Sequence, residues 1–282
     1  MPETLINPVV NAPDPTWVLI TPEMAAEWLK ELNTHNRRLN MGHVESLSRD
    51  MMAGKWLPNN NAIAFGINPE GREVLLDGQH RLAAIRRAGV AIPMLVQRGL
   101  PMDSQKAMDI NRARTYKDQL HLDDIKNSST IAAVLRRICL WEAGSYRSNN
   151  STFKPTRAEM DEMFAAHPDL VKDADWARGR AASLQLAPTV ATFVRWLLRE
   201  TNEKEGIWFT DRMYDLHELP RDHIIQVLHR RISREREMRA YGPDDYTALI
   251  IRAWNYYRRG ETPVKIQMPG MLTNETFPRP VV

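Results

Sequence analysis

The sequence predicts an α+β protein in which a small N-terminal α/β domain precedes an all-helical C-terminal domain. In the N-terminal part, short apolar runs with the alternation of strands are interleaved with helical patterns. From Ser128 onward, the apolar residues recur only at helical spacing. The chain has 282 residues, which is enough for two domains that each bury a core.

Proline-rich ends frame the two expected domains. Residues 1–14 are aperiodic and contain three prolines, which predicts a flexible arm. We expect the α/β domain over residues 15–125 and the helical domain over residues 126–260. The last segment, residues 261–282, holds four prolines and is expected to be extended.

The elements of the α/β domain follow from local signals. Trp17–Ile20 is an apolar run that favours a strand, and Thr21 with Pro22 supplies an N-cap and a proline at the first helical position. Glycine ends two of the helices, at Gly54 and Gly89. In chain order, the predicted elements are a strand at 17–20, a helix from 22 to about 33, a helix that ends at 54, strands at 63–67 and 74–76 joined by a turn at 68–71, a helix from 79 to 88 and a strand at 92–96. Two short helical pieces are predicted within 103–120.

The helical half shows two recognisable helix starts. Ser128 or Ser129 caps one helix, and Thr156 with Glu159 forms a capping box for another. Residues 144–152, rich in glycine, serine and asparagine, form a candidate linker. Further helices are predicted near 188–203, 206–216, 221–240 and 243–258.

Composition bounds the class of protein. No run of about eighteen apolar residues occurs, and the first fifteen residues do not resemble a signal peptide, so we expect a cytoplasmic protein with no membrane partner. The single cysteine, Cys139, lies among apolar residues at helical spacing and is interpreted as part of the core. A disulfide within the chain and a cysteine metal cluster are excluded.

The basic residues indicate a polyanionic partner, such as a nucleic acid, only weakly. The formal net charge is only +3, but 29 arginines stand against 9 lysines, and arginine binds phosphate through two parallel hydrogen bonds. A GC-rich genome would produce the same bias. The candidate nucleic-acid contacts are Arg230, Arg231, Arg234 and Arg258, beside Arg236, Arg239, Arg252 and Arg259 on two predicted helices. A solvated helix face explains the same pattern.

The segment Asp77-Gly78-Gln79-His80-Arg81 carries the clearest chemical signal. A strand that runs into Asp77-Gly78 and is followed at once by a helix places backbone N–H groups and the positive helix end at one point, which attracts anions. Gly78 lets a ligand approach the backbone, Arg81 offers a bidentate phosphate contact, and His80 is able to move a proton near neutral pH. Asp77 beside a phosphate is interpreted as a metal ligand, a catalytic base or a helix cap.

This turn resembles that of the ParB/sulfiredoxin superfamily, and most closely the ParB-like proteins of phages and mobile elements. The motif Asp77–Ala84, preceded by Asn36-Arg37-Arg38 and the strand at 62–67, carries the likeness over about residues 15–120. The resemblance implies a ParB/sulfiredoxin-like N-terminal domain that binds ATP or CTP with Mg²⁺. It implies nucleotide-binding roles for Gly78, Gln79, His80, Arg81, Arg37 and Arg38; a solvated loop explains Arg37 and Arg38 equally well. The chemistry of the residues themselves indicates catalytic roles for Asp77 and His80 and a metal-binding role for Asp77.

Departures from the family pattern exclude some of the activities known in the superfamily. Gln79 stands where sulfiredoxins have their catalytic cysteine, which excludes sulfiredoxin chemistry. The second arginine-containing box and the helix-turn-helix of partition ParB proteins are not found, and the turn is more similar to that of the related free-serine kinases. Asp109, Arg112 and Arg114 follow the last strand and are able either to close over the site or to form an ordinary exposed helix end.

Three functions remain open at this point. The first is a nucleotide-binding protein that acts on DNA in a phage or mobile element, with a homodimer as a compatible assembly. The second is a small kinase or nucleotide hydrolase in which Asp77, or one of the early glutamates Glu23, Glu27 and Glu31, activates an acceptor hydroxyl. The third is a DNA-binding or nuclease-like protein without a nucleotide requirement.

Overall fold

The computed structural model describes residues 13–34, 36–108, 115–147, 153–238 and 241–282. These fall into two compact units, divided between Ala113 and Arg114. Most of the expected N-terminal arm, residues 1–12, lies outside the described part, as do residues 148–152 of the expected linker. The α+β class is confirmed in its coarse form: the chain contains a four-stranded sheet and many helices.

The N-terminal unit is built on a mixed sheet. Its strands are β1 (Thr16–Ile20), β2 (Ile63–Ile67), β3 (Glu73–Asp77) and β4 (Ile92–Pro101). Their order is β1-β4-β2-β3, with β2 parallel to β4 and the other two pairs antiparallel. The parallel pair requires a crossover, and the helix between β3 and β4 supplies it.

Three helices cover one face of this sheet: α1 (Pro22–Glu31), α2 (Met41–Met52) and α3 (Gln79–Ala88). Helix α1 begins where predicted, because the side chain of Thr21 accepts a hydrogen bond from the Met24 N–H and Pro22 occupies the first turn. Phe65 and Leu82 are fully buried between the sheet and these helices. The core therefore lies directly behind the turn that joins β3 to α3.

A 3₁₀ helix at Met102–Ala107 covers part of the opposite face. Leu76 of β3 is buried there in a small cluster with Ala64 and Val74, and Leu100, Met102 and Met108 pack against it. Both faces of β3 are thus covered near its end at Asp77. This double cover fixes the direction in which the chain leaves the sheet.

The outer edge of β3 is closed by the loop after α1. The Leu75 N–H donates to the Leu32 carbonyl at 2.8 Å, and the Asn36 amide donates to the Leu75 carbonyl at 2.7 Å. The loop that carries Arg37 and Arg38 is therefore held beside the end of β3. Both backbone polar groups of Leu75 at this edge are therefore hydrogen-bonded rather than left open.

The C-terminal unit is helical. Its helices are α4 (Tyr116–Leu122), α5 (Ser128–Glu142), α6 (Arg157–Ala166), α7 (Leu170–Leu184), α8 (Pro188–Thr201), α9 (Glu203–Tyr214), α10 (Ile224–Glu237) and α11 (Pro243–Arg258). Nine consecutive residues of α8, Val190–Leu198, are buried, so this helix is central. Within the described residues, no helix is both long and apolar enough to cross a membrane.

One boundary and the packing of the tail differ from what the sequence predicts. The unit boundary lies near residue 113 rather than at 125, because Tyr116 and Leu120 of α4 are buried in the helical core. The tail after residue 260 is irregular, as expected, but it is packed: Ile266 and Phe277 are buried in the same core.

Cys139 is buried in the helical core, as the sequence predicts. Burial raises the pKa of its thiol to about 11.

Candidate functional site

The turn from β3 into α3 has the geometry that the sequence predicts. Strand β3 ends at Asp77, Gly78 adopts a left-handed conformation with φ of 105°, and α3 begins at Gln79 with no side-chain cap. A Cβ at position 78 would lie 2.5 Å from Cδ1 of Ile63. Glycine is therefore required by conformation and by space, and it leaves the helix N-terminus open to a ligand.

This turn borders a cleft made of two adjoining cavities. The smaller one, about 270 Å³, is lined by Asn36, Arg37, Leu76, Asp77, Gln79, His80, Gln105 and Met108. The larger one, about 830 Å³, extends from the same turn toward α2 and the loop before β2. Arg37, Asp77, His80 and Met108 line both cavities. The volume of the larger cavity suits a ligand of small-molecule or nucleotide size.

Asp77 and Arg81 form an ion pair across the first turn of α3. The Arg81 Nη2 lies 2.8 Å from the Asp77 Oδ2, and the Gly78 N–H donates to the Asp77 Oδ1 at 2.6 Å. Arg81 also donates to the backbone carbonyls of Asn61 and Ala62. The Arg81 side chain is therefore part of the packing of this unit, because it is only 13% exposed and joins three segments.

His80 fixes the start of α2. Its Nε2 accepts a hydrogen bond from the Asn40 N–H at 3.0 Å, and Asn40 is the N-cap of α2. Because Nε2 is the acceptor, the proton of the neutral ring resides on Nδ1. The ring also contacts that of His43, with centroids 5.4 Å apart. His80 thus borders the cleft and ties two loops together.

Gln79 holds the neighbouring loop. It is buried, and its amide donates to the Arg37 carbonyl at 2.8 Å, which places the Arg37 backbone beside the turn. One residue that the sequence analysis did not single out, Gln105 of the 3₁₀ helix, completes this wall. It donates to the Leu76 carbonyl at 3.0 Å and to the Asn36 Oδ1 at 3.2 Å.

The two loop arginines are placed differently. Both are exposed, but Arg37 lines both cavities, whereas neither cavity is lined by Arg38. In the described part of the chain, no group of three His, Cys, Asp or Glu side chains is arranged to hold a metal ion. Asp109, Arg112 and Arg114, the candidates for closing the site, lie outside the described residues.

Comparison with known proteins adds no family assignment. No protein-family model matches the chain, and no curated protein matches its sequence. The functional interpretation therefore depends on the residues and their arrangement.

The candidate nucleic-acid contacts of the helical unit separate into two pairs. Arg230 and Arg234 are exposed one turn apart on α10. The Arg231 Nε lies 2.8 Å from the Glu235 Oε1, and Arg258 pairs with Glu205. These two side chains are 17% and 20% exposed, so their first role is structural. Arg239 lies outside the described residues.

Proposed function

We propose that the N-terminal unit binds a nucleoside triphosphate, ATP or CTP, with its phosphates on the turn from Gly78 to Arg81. The observation that carries the proposal is the uncapped N-terminus of α3, which opens at Gly78 onto a cleft of nucleotide size. The aligned peptide dipoles and first N–H groups of a helix favour an anion at this position. The sequence motif agrees with a ParB/sulfiredoxin-like domain, which is part of the same proposal.

The charges around the turn support a phosphate ligand rather than a neutral one. Arg37 supplies a cation that lines both cavities, and Arg81 adds a second cation whose charge is partly compensated by Asp77. A triphosphate carries more negative charge than these groups balance. Mg²⁺ would reduce the remaining repulsion, and Asp77, whose side chain is 36% exposed, is the residue able to contribute an oxygen to it.

One carboxylate is sufficient for such an ion. Mg²⁺ commonly keeps several waters and is held by one or two carboxylates together with substrate phosphates. The absence of a preformed cluster among the described acids and histidines therefore fits a metal that arrives with the nucleotide. Asp77 would hold the ion, and Arg37 would stay with the phosphates.

A small kinase or nucleotide hydrolase is the second candidate. It is favoured by the position of Asp77 and His80, which line both cavities and so lie where a nucleotide in one cavity would meet an acceptor in the other. Against it, both Asp77 oxygens already accept hydrogen bonds, and His80 Nε2 accepts from Asn40. Proton transfer to any of these atoms requires that an existing contact be broken or shared. Nucleotide binding is accordingly the primary proposal.

A thermal-unfolding screen of the full chain tests the proposal. With Mg²⁺ present, ATP or CTP at about a hundredfold excess over its Kd is expected to stabilise the α/β unit by about 2–3 kcal/mol. Arg37→Ala is expected to weaken binding about tenfold, since it removes one charge-assisted phosphate contact. The matched control is Arg38→Ala, one residue along the same exposed loop. Failure of all four nucleoside triphosphates to stabilise the wild-type chain would overturn the proposal.

Asp77→Asn tests the metal-binding role. Because the amide is neutral and a poor Mg²⁺ ligand, the substitution is expected to lower Mg²⁺-dependent nucleotide affinity about tenfold while leaving metal-free binding nearly unchanged. Isothermal titration with and without Mg²⁺ measures both affinities. Equal losses under the two conditions would contradict a metal role. Unchanged affinity with turnover reduced about a hundredfold or more would instead identify a base.

We further propose that the helical unit binds DNA through Arg230 and Arg234, in keeping with a role in phage or mobile-element DNA processes. Replacing both with alanine is expected to weaken duplex binding about tenfold at 0.15 M salt and to reduce the slope of log K against log salt by about two. Arg136, exposed on α5, provides the matched control. An affinity indifferent to salt, or equal losses for the Arg136 variant, would contradict this surface.

A further inference from the structure

The lining of the larger cavity combines two chemically different sets of residues. Gly78 and the cations Arg37 and Arg81 belong to the first set. Leu47, Trp56 and three consecutive asparagines, Asn59–Asn61, belong to the second; none of these side chains carries a charge, and we call this set the neutral wall. A ligand that contacts both sets combines an anionic group with a neutral group that forms hydrogen bonds.

Trp56 supplies the aromatic surface of the neutral wall. Its ring packs partly against the core beneath α1 to α3 and also borders the cavity. Its indole Nε1–H is screened from solvent and meets no acceptor among the described residues. Buried donors of this kind normally have a partner in the protein, in water or in a ligand.

The asparagine loop is held in place while part of its polar surface is left for a ligand. Arg81 donates to the carbonyls of Asn61 and Ala62, so the loop is attached to the phosphate-binding turn itself. Within the loop, the Asn59 Oδ1 accepts from the Asn61 N–H at 3.0 Å, and its amide donates to the Leu57 carbonyl at 3.1 Å. The Asn60 side chain makes no such contact among the described residues and lines the cavity.

We infer that this neutral wall, in particular Trp56 and Asn59–Asn61, binds the base of the nucleotide, an inference that rests on the proposed function. An aromatic side chain offers a face on which any base can stack, and a carboxamide offers a donor and an acceptor side by side, as the edge of a base requires. These side chains carry no charge that would pair with a second phosphate. Arg81 acts here as a positioning residue, since it aligns the base-binding loop with the phosphate-binding turn.

Titration of the full chain with two ligands separates the turn from the neutral wall. Inorganic triphosphate probes the turn alone, whereas ATP or CTP probes the turn and the neutral wall together. Trp56→Ala and Asn60→Ala are expected to weaken nucleotide binding about tenfold and to leave triphosphate binding unchanged. Trp17→Ala, at an exposed tryptophan of β1 that lines neither cavity, is the matched control and is expected to alter neither affinity.

The outcomes are distinguishable. If the wild-type chain binds the nucleotide but both variants retain its full affinity, the base lies elsewhere and only this inference fails. If both variants lose affinity for nucleotide and triphosphate equally, Trp56 and Asn60 support the turn and the inference also fails. If the wild-type chain binds neither ligand, the proposed function fails and the inference falls with it.

Discussion

Replacing Gly78 with alanine is expected to lower the free energy of unfolding of the α/β unit by about 2–4 kcal/mol. A left-handed conformation with φ of 105° is strained for alanine, and the added Cβ would meet the Ile63 side chain at 2.5 Å. Ile63 is itself fully buried, so it has little room to move. Native-state hydrogen exchange of amides in β2 and β3 measures the unfolding free energy of this unit within the full chain.

Gly71→Ala is the matched control for this substitution. Gly71 also has a positive φ, 76°, but a Cβ there would meet nothing within 4 Å. Its expected cost is the conformational strain alone, about 1–2 kcal/mol. If the two alanine variants lose the same stability, the contact with Ile63 is not what reserves position 78 for glycine.

Arg81→Ala is expected to lower the same free energy by about 1–3 kcal/mol, even without a ligand. The substitution leaves the Asp77 carboxylate without its ion-pair partner and removes the hydrogen bonds to the carbonyls of Asn61 and Ala62. Arg81→Lys is expected to recover only part of the loss, because a lysine cannot reproduce the planar fork that reaches three acceptors.

The control for Arg81 is again Arg38→Ala, whose exposed side chain is expected to contribute within about 0.5 kcal/mol. A double-mutant cycle with Asp77→Asn then isolates the coupling of the ion pair. Should Arg81→Ala prove as stable as Arg38→Ala, the side chain would be a ligand-binding group only. The sequence alone suggested that role, since a charged residue at a helix start is normally exposed.

The sequence was sufficient for the elements that have strong local signals. Thr21 with Pro22 marked the start of α1, and the alternation of Ile63 and Phe65 predicted β2. Helix α7 was missed: between its terminal leucines, its buried residues in the described part of the chain are Asp173, Ala174 and Ala177, which give little hydrophobic contrast. The buried tail residue Phe277 was also missed, since an irregular segment has no periodicity to read.

In the site, too, the features set by adjacent residues were predictable, whereas the contacts between distant segments were not. The Asp77–Arg81 turn was predicted from adjacent residues, and its glycine conformation follows from them. The partners of its side chains come from distant parts of the chain. Asn40 binds His80, and Gln105 lies 29 positions after the Leu76 carbonyl that it contacts. No local pattern could reveal these contacts, because tertiary packing alone brings the segments together.

Amide hydrogen exchange at residues 79–81, measured with and without ATP or CTP and Mg²⁺, tests the central claim most directly. A phosphate seated on the N-terminus of α3 accepts hydrogen bonds from these backbone N–H groups and must slow their exchange. We expect protection at the turn with the nucleotide and equally with inorganic triphosphate, because both place a phosphate on this helix end. Exchange at residues 79–81 that stays unchanged at saturating nucleotide would contradict the account.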